Sequence, residues 1–236
     1  MLCSWWDSLM DCSHCFDTDT DAPALETGGR VLVHGVRLYD AVEWFLTLGR
    51  ARRWARRCID LLGLRGDERV LDIGCGTGLL TLETACRVLR GQVVGVDASN
   101  RMLEVARRRR SRPNILYRAA VAERLPFDDA SFDAACSSFF FHHIAADLKK
   151  RALSEATRVL RCGAPLVIFD MAEPYHSVGW LVSWLSWKVL RQPEIRENML
   201  GMVPRLLEES GFSGVREGFR ASGFLRAYVA RKAHRT

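Results

Sequence analysis

Val70-Leu71-Asp72-Ile73-Gly74-Cys75-Gly76-Thr77-Gly78 is an apolar run that ends in an acid and then in glycines at alternate positions. It reads as a strand entering a tight loop. Glycine at 74, 76 and 78 lets the main chain turn sharply and lets a ligand approach it where any side chain would collide. The following Leu79-Leu80-Thr81-Leu82-Glu83-Thr84-Ala85 has helical character. Strand, glycine loop and helix in that order form a nucleotide-type site. The G-x-G-x-G spacing is not the G-x-G-x-x-G of a dinucleotide fold.

The rhythm on either side of this loop sets the fold class. Apolar runs that read as strands span Arg69 to Ile73, Gln92 to Asp97, Ile115 to Ala119, Phe132 to Ser138 and Pro165 to Asp170, with helical patterns near Leu79 to Leu89, Arg101 to Arg110 and Lys149 to Leu160. Strands alternating with helices predict a mostly parallel sheet covered on both faces, with the ligand at the carboxyl ends of the strands. Two more strands, Gly214 to Phe219 and Leu225 to Arg231, are joined by a short turn around Ala221-Ser222-Gly223. A parallel crossover needs about a dozen residues or more, so these two must form an antiparallel hairpin. The expected fold is α/β and Rossmann-like, a seven-stranded, mostly parallel sheet with a C-terminal antiparallel hairpin.

The 236 residues suit one such domain with extensions. Residues 1–29 read as a flexible N-terminal extension, acidic at Asp17, Asp19 and Asp21, and residues 30–236 as the domain. Within it, 30–66 carry helices, 69–170 the cofactor-binding core, 171–211 a variable acceptor or lid segment, and 212–236 the closing hairpin. Hydrophobic residues make up 48% and charged residues 26% of the chain, the balance of a globular protein with a sizeable core. The net charge is +6, with Lys149, Lys150, Lys188 and Lys232 the only lysines among 34 cationic residues. The arginine-dense stretches Arg50 to Arg57 and Arg107 to Arg112 lack the interleaved aromatics of a base-stacking surface, which disfavours a nucleic-acid partner.

Eight cysteines, at 3, 12, 15, 58, 75, 86, 136 and 162, follow no disulfide framework. Cys12-Ser13-His14-Cys15 has the spacing of half a zinc site, but no second C-x-x-C follows and no metal is assigned. Cysteine usage and an N-terminus without a basic flank point to a reducing, cytoplasmic setting rather than secretion.

A second landmark is Gly95-Val96-Asp97-Ala98-Ser99, where an acid ends the second strand. A carboxylate there accepts hydrogen bonds from both hydroxyls of a ribose. Asp97 or Ser99 would also serve as the N-cap of the next helix. To this point a nicotinamide cofactor and an adenosyl cofactor are both open. The third landmark separates them: Ala122-Glu123-Arg124-Leu125-Pro126-Phe127-Asp128-Asp129-Ala130-Ser131-Phe132-Asp133, followed by an apolar strand and His142-His143, is no dinucleotide pattern.

With VLDIGCGTG, GVDAS, AERLPFDDASFD, SSFFFHHI and RVLRCGAPLVIFD, the chain over about residues 69–170 resembles the class I S-adenosylmethionine-dependent methyltransferases. Within them it is similar to the ubiquinone/menaquinone biosynthesis C-methyltransferases. Tyr39-Asp40 and the Gly49, Arg52, Trp54 spacing resemble that group's helices before the glycine loop. The resemblance implies S-adenosylmethionine as cofactor, with Asp72, Gly74, Gly76, Thr77 and Gly78 around its methionine part and Asp97 on the ribose. It also implies that Val121 and Ala122 flank the adenine and that Ser138 lies near the sulfonium. Two positions depart from the family pattern. Val121 replaces an Asp or Asn, so the adenine must be read by backbone groups or less tightly. Cys162-Gly163-Ala164 replaces a Pro-Gly-Gly turn, with Gly163 left to supply the positive φ.

The implied activity is methyl transfer to a small, lipophilic acceptor such as a quinone precursor or a lipid amine. A sulfonium methyl is already activated, so placement of the acceptor and exclusion of water do most of the work. A base matters where the acceptor loses a proton; His142, His143 and Tyr39 are the candidates, with Arg52 a further candidate for orienting an anionic acceptor. Trp180, Trp184 and Trp187 recur at i, i+4 and i+7 on one face of a helix beside Lys188 and Arg191. Three readings follow: a lid over an apolar acceptor, an interfacial element resting on a membrane or a partner, and an ordinary core helix. Rival functions are a non-catalytic S-adenosylmethionine-binding or assembly protein, a metal, metalloid or thiol methyltransferase using the cysteines, and, disfavoured by the glycine spacing and final hairpin, a nicotinamide oxidoreductase.

Overall fold

A computed structural model describes Thr27, Thr47, residues 49–188 and residues 193–234. Within them one seven-stranded sheet runs in the order β3-β2-β1-β4-β5-β7-β6. Its strands are β1 (Arg69–Ile73), β2 (Gln92–Asp97), β3 (Ile115–Ala119), β4 (Ala134–Ser138), β5 (Pro165–Met171), β6 (Phe212–Ala221) and β7 (Leu225–Lys232). The first five pair in parallel, and β7 pairs antiparallel with both β5 and β6. The helices are α1 (Ala51–Leu62), α2 (Leu79–Ala85), α3 (Asn100–Arg109), α4 (Ala146–Val159), α5 (Ser177–Lys188), α6 (Pro193–Met199) and α7 (Met202–Glu209), with a 3-10 turn at Phe141–His143.

The period-two alternation of the strands builds two cores, one on each face of the sheet. Leu71 and Ile73 of β1 join Ala152, Leu153 and Ala156 of α4 and Val203 and Leu207 of α7. Val70, one residue out of phase, joins Trp54, Cys58 and Ile59 of α1 and Leu80 of α2. Asp72 shares the face of Val70, which is why its partner comes from α2. Strand order reverses between β1 and β4, so a crevice opens at their carboxyl ends, where such sheets bind ligands.

Several boundaries differ from the sequence reading for local reasons. Strand β4 starts at Ala134 rather than Phe132, because Phe132 pairs instead with Leu160 in an isolated parallel bridge. Helix α2 stops at Ala85 rather than Leu89, where the Asn114 side-chain amide donates to the carbonyls of Ala85 and Val88, both at 3.0 Å. The final hairpin turns through Ser222 and Gly223 at φ 52° and 83°, as its short connection required. Gly163 adopts φ 74°. Segment 171–211, in which only the tryptophan helix was expected, carries three helices among its described residues, of which α6 packs against β5.

Candidate active site

The glycine loop is held from both sides. Gly76 donates its N–H to Asp97 Oδ2 at 2.9 Å, tying the loop to the end of β2, and Cys75 N donates to Val96 O at 2.9 Å. A Cβ at Gly74 would overlap the Phe140 ring, and one at Gly78, at φ 86°, would overlap the Tyr117 hydroxyl. Both positions require glycine by close approach and by backbone conformation, Gly74 lying at φ 69°. Thr77 is buried between them, its carbonyl accepting from the Arg110 guanidinium at 2.7 Å.

Asp72 is buried at the base of the loop. Its Oδ2 accepts the Thr81 hydroxyl at 2.6 Å, and its Oδ1 has no partner. Burial, with the charge of Asp97 adding to it, pushes the Asp72 carboxyl up to about 7. Asp97 is likewise raised by burial, against the N–H groups of Ser99 and Gly76. Ser99, not Asp97, caps α3, its hydroxyl accepting from Met102 N. Asp97 Oδ1 takes the Ser99 N–H at 2.8 Å, and each of its oxygens keeps a lone pair. Two buried carboxyls, one of them raised further by the charge of the other and carrying an unpaired buried oxygen, suit a cation with hydroxyl groups. S-adenosylmethionine carries an ammonium, a sulfonium and a ribose, so the residues present fit it.

Ala120, Val121 and Ala122 are all buried and apolar, and Ala120 N donates to Asp97 O at 3.1 Å, which draws this segment beside the end of β2. The Val121 carbonyl accepts from Arg124 N at 3.2 Å. Next to it Glu123 accepts the Thr27 hydroxyl at 2.5 Å. Ser138, half-buried, ends β4, while its neighbour Ser137 donates to Ile73 O at 2.7 Å and locks the ends of β4 and β1 together.

Beyond Ser138 the chain passes Phe139, at φ 53°, into the 3-10 turn. His142 is buried with its Nδ1 2.6 Å from Asp170 Oδ1, and its ring lies against that of His143, centroids 3.8 Å apart. Sequence reasoning singled out the histidines and missed Asp170, although an acid closing an otherwise apolar strand was the available signal. It missed Thr81 for a different reason: only the phase between β1 and α2 brings that hydroxyl to Asp72.

The remaining expectations resolve unevenly. Tyr39, Cys12 and Cys15 lie outside the described residues. Arg52, with Arg56, brackets the buried Glu83 of α2, pinning α1 to α2. Burial alone would raise the Glu83 carboxyl, but the two guanidiniums hold it below its ordinary value. Trp180 and Trp184 are 56% and 43% exposed, so the core reading of these two fails; the Trp187 side chain lies outside those described. Burial pushes the thiols of Cys58, Cys75 and Cys136 up, and no group of three or more metal-ligating side chains occurs among the described residues. No described helix is long and apolar enough to cross a membrane.

A methyltransferase domain family model matches residues 70–163. The chain is 33% identical over 221 residues to the ubiquinone/menaquinone biosynthesis C-methyltransferase UbiE of Geobacter sp. (strain M21), covering 82% of this chain and 91% of that protein. It is 35% identical over 217 residues to the demethylmenaquinone methyltransferase of Beutenbergia cavernae, covering 83% and 87%. Among solved structures, the YcgJ protein of Bacillus subtilis superposes with a TM-score of 0.62 at 22% identity, covering 77% of this chain and 99% of that one. An S-adenosylmethionine-dependent methyltransferase of Methanosarcina mazei superposes at 0.57, with 22% identity, over 72% and 94%. The glycine loop with its two carboxylates, the strand order and the relationship along most of the chain give one answer: this is a class I S-adenosylmethionine-dependent methyltransferase of the ubiquinone/menaquinone biosynthesis C-methyltransferase family.

Proposed function

We propose that the enzyme methylates a ring carbon of a lipophilic quinol precursor. The observation that carries this reading is the relationship to quinone C-methyltransferases over more than four-fifths of the chain. The position of the histidine turn supports it, since Phe140 packs on Gly74 and so sets His142 and His143 beside the glycine loop. Asp72, Gly74, Gly76, Thr77, Gly78 and Asp97 hold the cofactor, with Val121 and Ala122 along the adenine and Ser138 near the reacting end. When bound, the cofactor supplies an activated methyl group on sulfur. The protein's share is placement, exclusion of water and removal of the proton that a hydroxylated ring must lose, with His142 as the base and His143 against it.

Segment 171–211 forms the acceptor side. Trp180, Leu181 and Trp184 project from α5, which ends in Lys188. This pattern supports docking on an anionic membrane surface, where indoles occupy the interface and from which a lipophilic acceptor can enter.

The direct test supplies S-adenosylmethionine and a polyprenyl naphthoquinol that lacks the ring methyl, and identifies the product by mass spectrometry and NMR. A new C–CH3 group is expected. An O-methyl ether, or S-adenosylmethionine binding in calorimetry without turnover of any quinol, overturns this reading.

A further inference from the structure

The His142 side chain is held by more than a single contact. Asp170 is 1% exposed and all its hydrogen bonds have it accepting: Oδ2 takes Phe141 N at 2.7 Å, and Oδ1 takes Met171 N at 2.7 Å and faces His142 Nδ1 at 2.6 Å. Burial alone would raise the Asp170 carboxyl, but His142 beside it and the Met171 N–H hold it below its ordinary value, with His143 adding to the effect. A carboxylate can only accept, so the hydrogen in this pair sits on Nδ1, and the neutral ring keeps its lone pair at Nε2. Among the described residues no hydrogen bond engages Nε2. The tilted contact with His143, 44° between rings, limits rotation of the imidazole. Charged groups on the neighbouring elements are otherwise engaged: Lys149 of α4 donates to Glu197 of α6 at 2.7 Å and to Glu194 O at 3.1 Å.

We propose that Asp170 is a positioning residue for acceptor deprotonation, fixing His142 as the Nδ1–H tautomer so that Nε2 takes the proton of the acceptor's ring hydroxyl. This rests on the quinol reading above. In the step, the acceptor O–H bond breaks and its electron pair stays on oxygen to enrich the ring. An Nε2–H bond forms, and the imidazolium produced stands against the Asp170 carboxylate, which stays ionised. The arrangement separates roles: Asp170 touches no reactant and acts only through His142.

Asn at 170 disrupts this in a specific way. Its amide has one oxygen, whereas the carboxylate serves three N–H donors with two. If the NH2 group faces His142 it donates to Nδ1 and drives the proton to Nε2, the wrong tautomer. The test therefore reads two things. In 15N-labelled protein without cofactor, NMR is expected to show neutral His142 protonated at Nδ1 in the wild type and this signature lost in Asp170→Asn. In turnover with S-adenosylmethionine and the demethylated naphthoquinol, Asp170→Asn and His142→Gln are each expected to lower kcat about 100-fold or more. KM is expected to stay within a few-fold, and the calorimetric Kd for S-adenosylmethionine to stay unchanged.

Should Asp170→Asn fail to fold, His142→Ala with added imidazole takes its place; rescue of kcat by imidazole is expected, following the free-base concentration. An Nε2–H tautomer in the wild type, a kcat within threefold of wild type in a folded Asp170→Asn, or absence of imidazole rescue overturns the proposal. Failure of the acceptor reading looks different: the wild type would not methylate the quinol, while the tautomer measurement would still decide the role of Asp170.

Discussion

Asp72 carries an unpaired oxygen at no exposure to solvent, and a buried polar atom without a partner costs about 1–3 kcal/mol. With its carboxyl pushed up to about 7, Asp72 in the native protein holds a proton that the unfolded chain releases near its ordinary value of 3.8. The folded value is the raised one, so its contribution to stability is fully present below about pH 4 and is lost as pH rises through 7. Stability of the ligand-free protein should fall across that window by up to about 1.4 kcal/mol per pH unit from this group. Asp72→Asn should flatten that slope in urea titrations run at successive pH values. S-adenosylmethionine binding runs the other way, because the ammonium needs the carboxylate: affinity should weaken from pH 8 to pH 6 in the wild type and not in the variant. Asp97 makes a different claim. Asp97→Ala should weaken cofactor binding by about 1.5–3 kcal/mol in calorimetry through loss of hydrogen bonds to a charged acceptor.

Helix α6 is too short to be stable through its own hydrogen bonds, and its place over the end of β5 depends on polar anchors. Lys149, at 0% exposure, reaches it from α4, and Asn198 donates its amide to Met171 O at 3.0 Å. The ion pair is asymmetric, since the Glu197 side chain is 28% exposed and can turn to water while the lysine cannot. Glu197→Ala should therefore cost about 3 kcal/mol by stranding a buried ammonium, whereas Lys149→Met should cost less than about 1 kcal/mol. Equilibrium denaturation of the two variants checks the order, and equal losses would contradict it. The anchor matters for function because α6 packs on the turn that carries His142. The Arg52 and Arg56 pair on Glu83 plays the equivalent part on the other face, fixing α1 against α2 under the glycine loop.

Taken whole, the molecule sets its cofactor crevice at the β1/β4 reversal and an apolar projection, Trp180 and Trp184, on the segment after β5. The wild type should co-sediment with phosphatidylglycerol vesicles, and the Trp180→Ala, Trp184→Ala double variant should bind at least about tenfold more weakly, equivalent to about 1.4 kcal/mol. Both side chains are largely exposed, so loss of binding would not reflect unfolding; no binding by either protein removes the membrane reading. Much of this was legible in the chain itself. Strand and helix phases, the glycine loop, the acid that ends β2 and the closing hairpin follow from local periodicity and from the backbone freedom of glycine, which depend on near neighbours in sequence. Pairings such as Asp170 with His142, Thr81 with Asp72, and Arg52 with Glu83 do not, because they depend on which faces of separate elements meet. The sequence by itself determined the fold class and the donor. Only the tertiary structure decided which polar side chains are buried together, since burial and partner are properties of packing between elements distant in the chain.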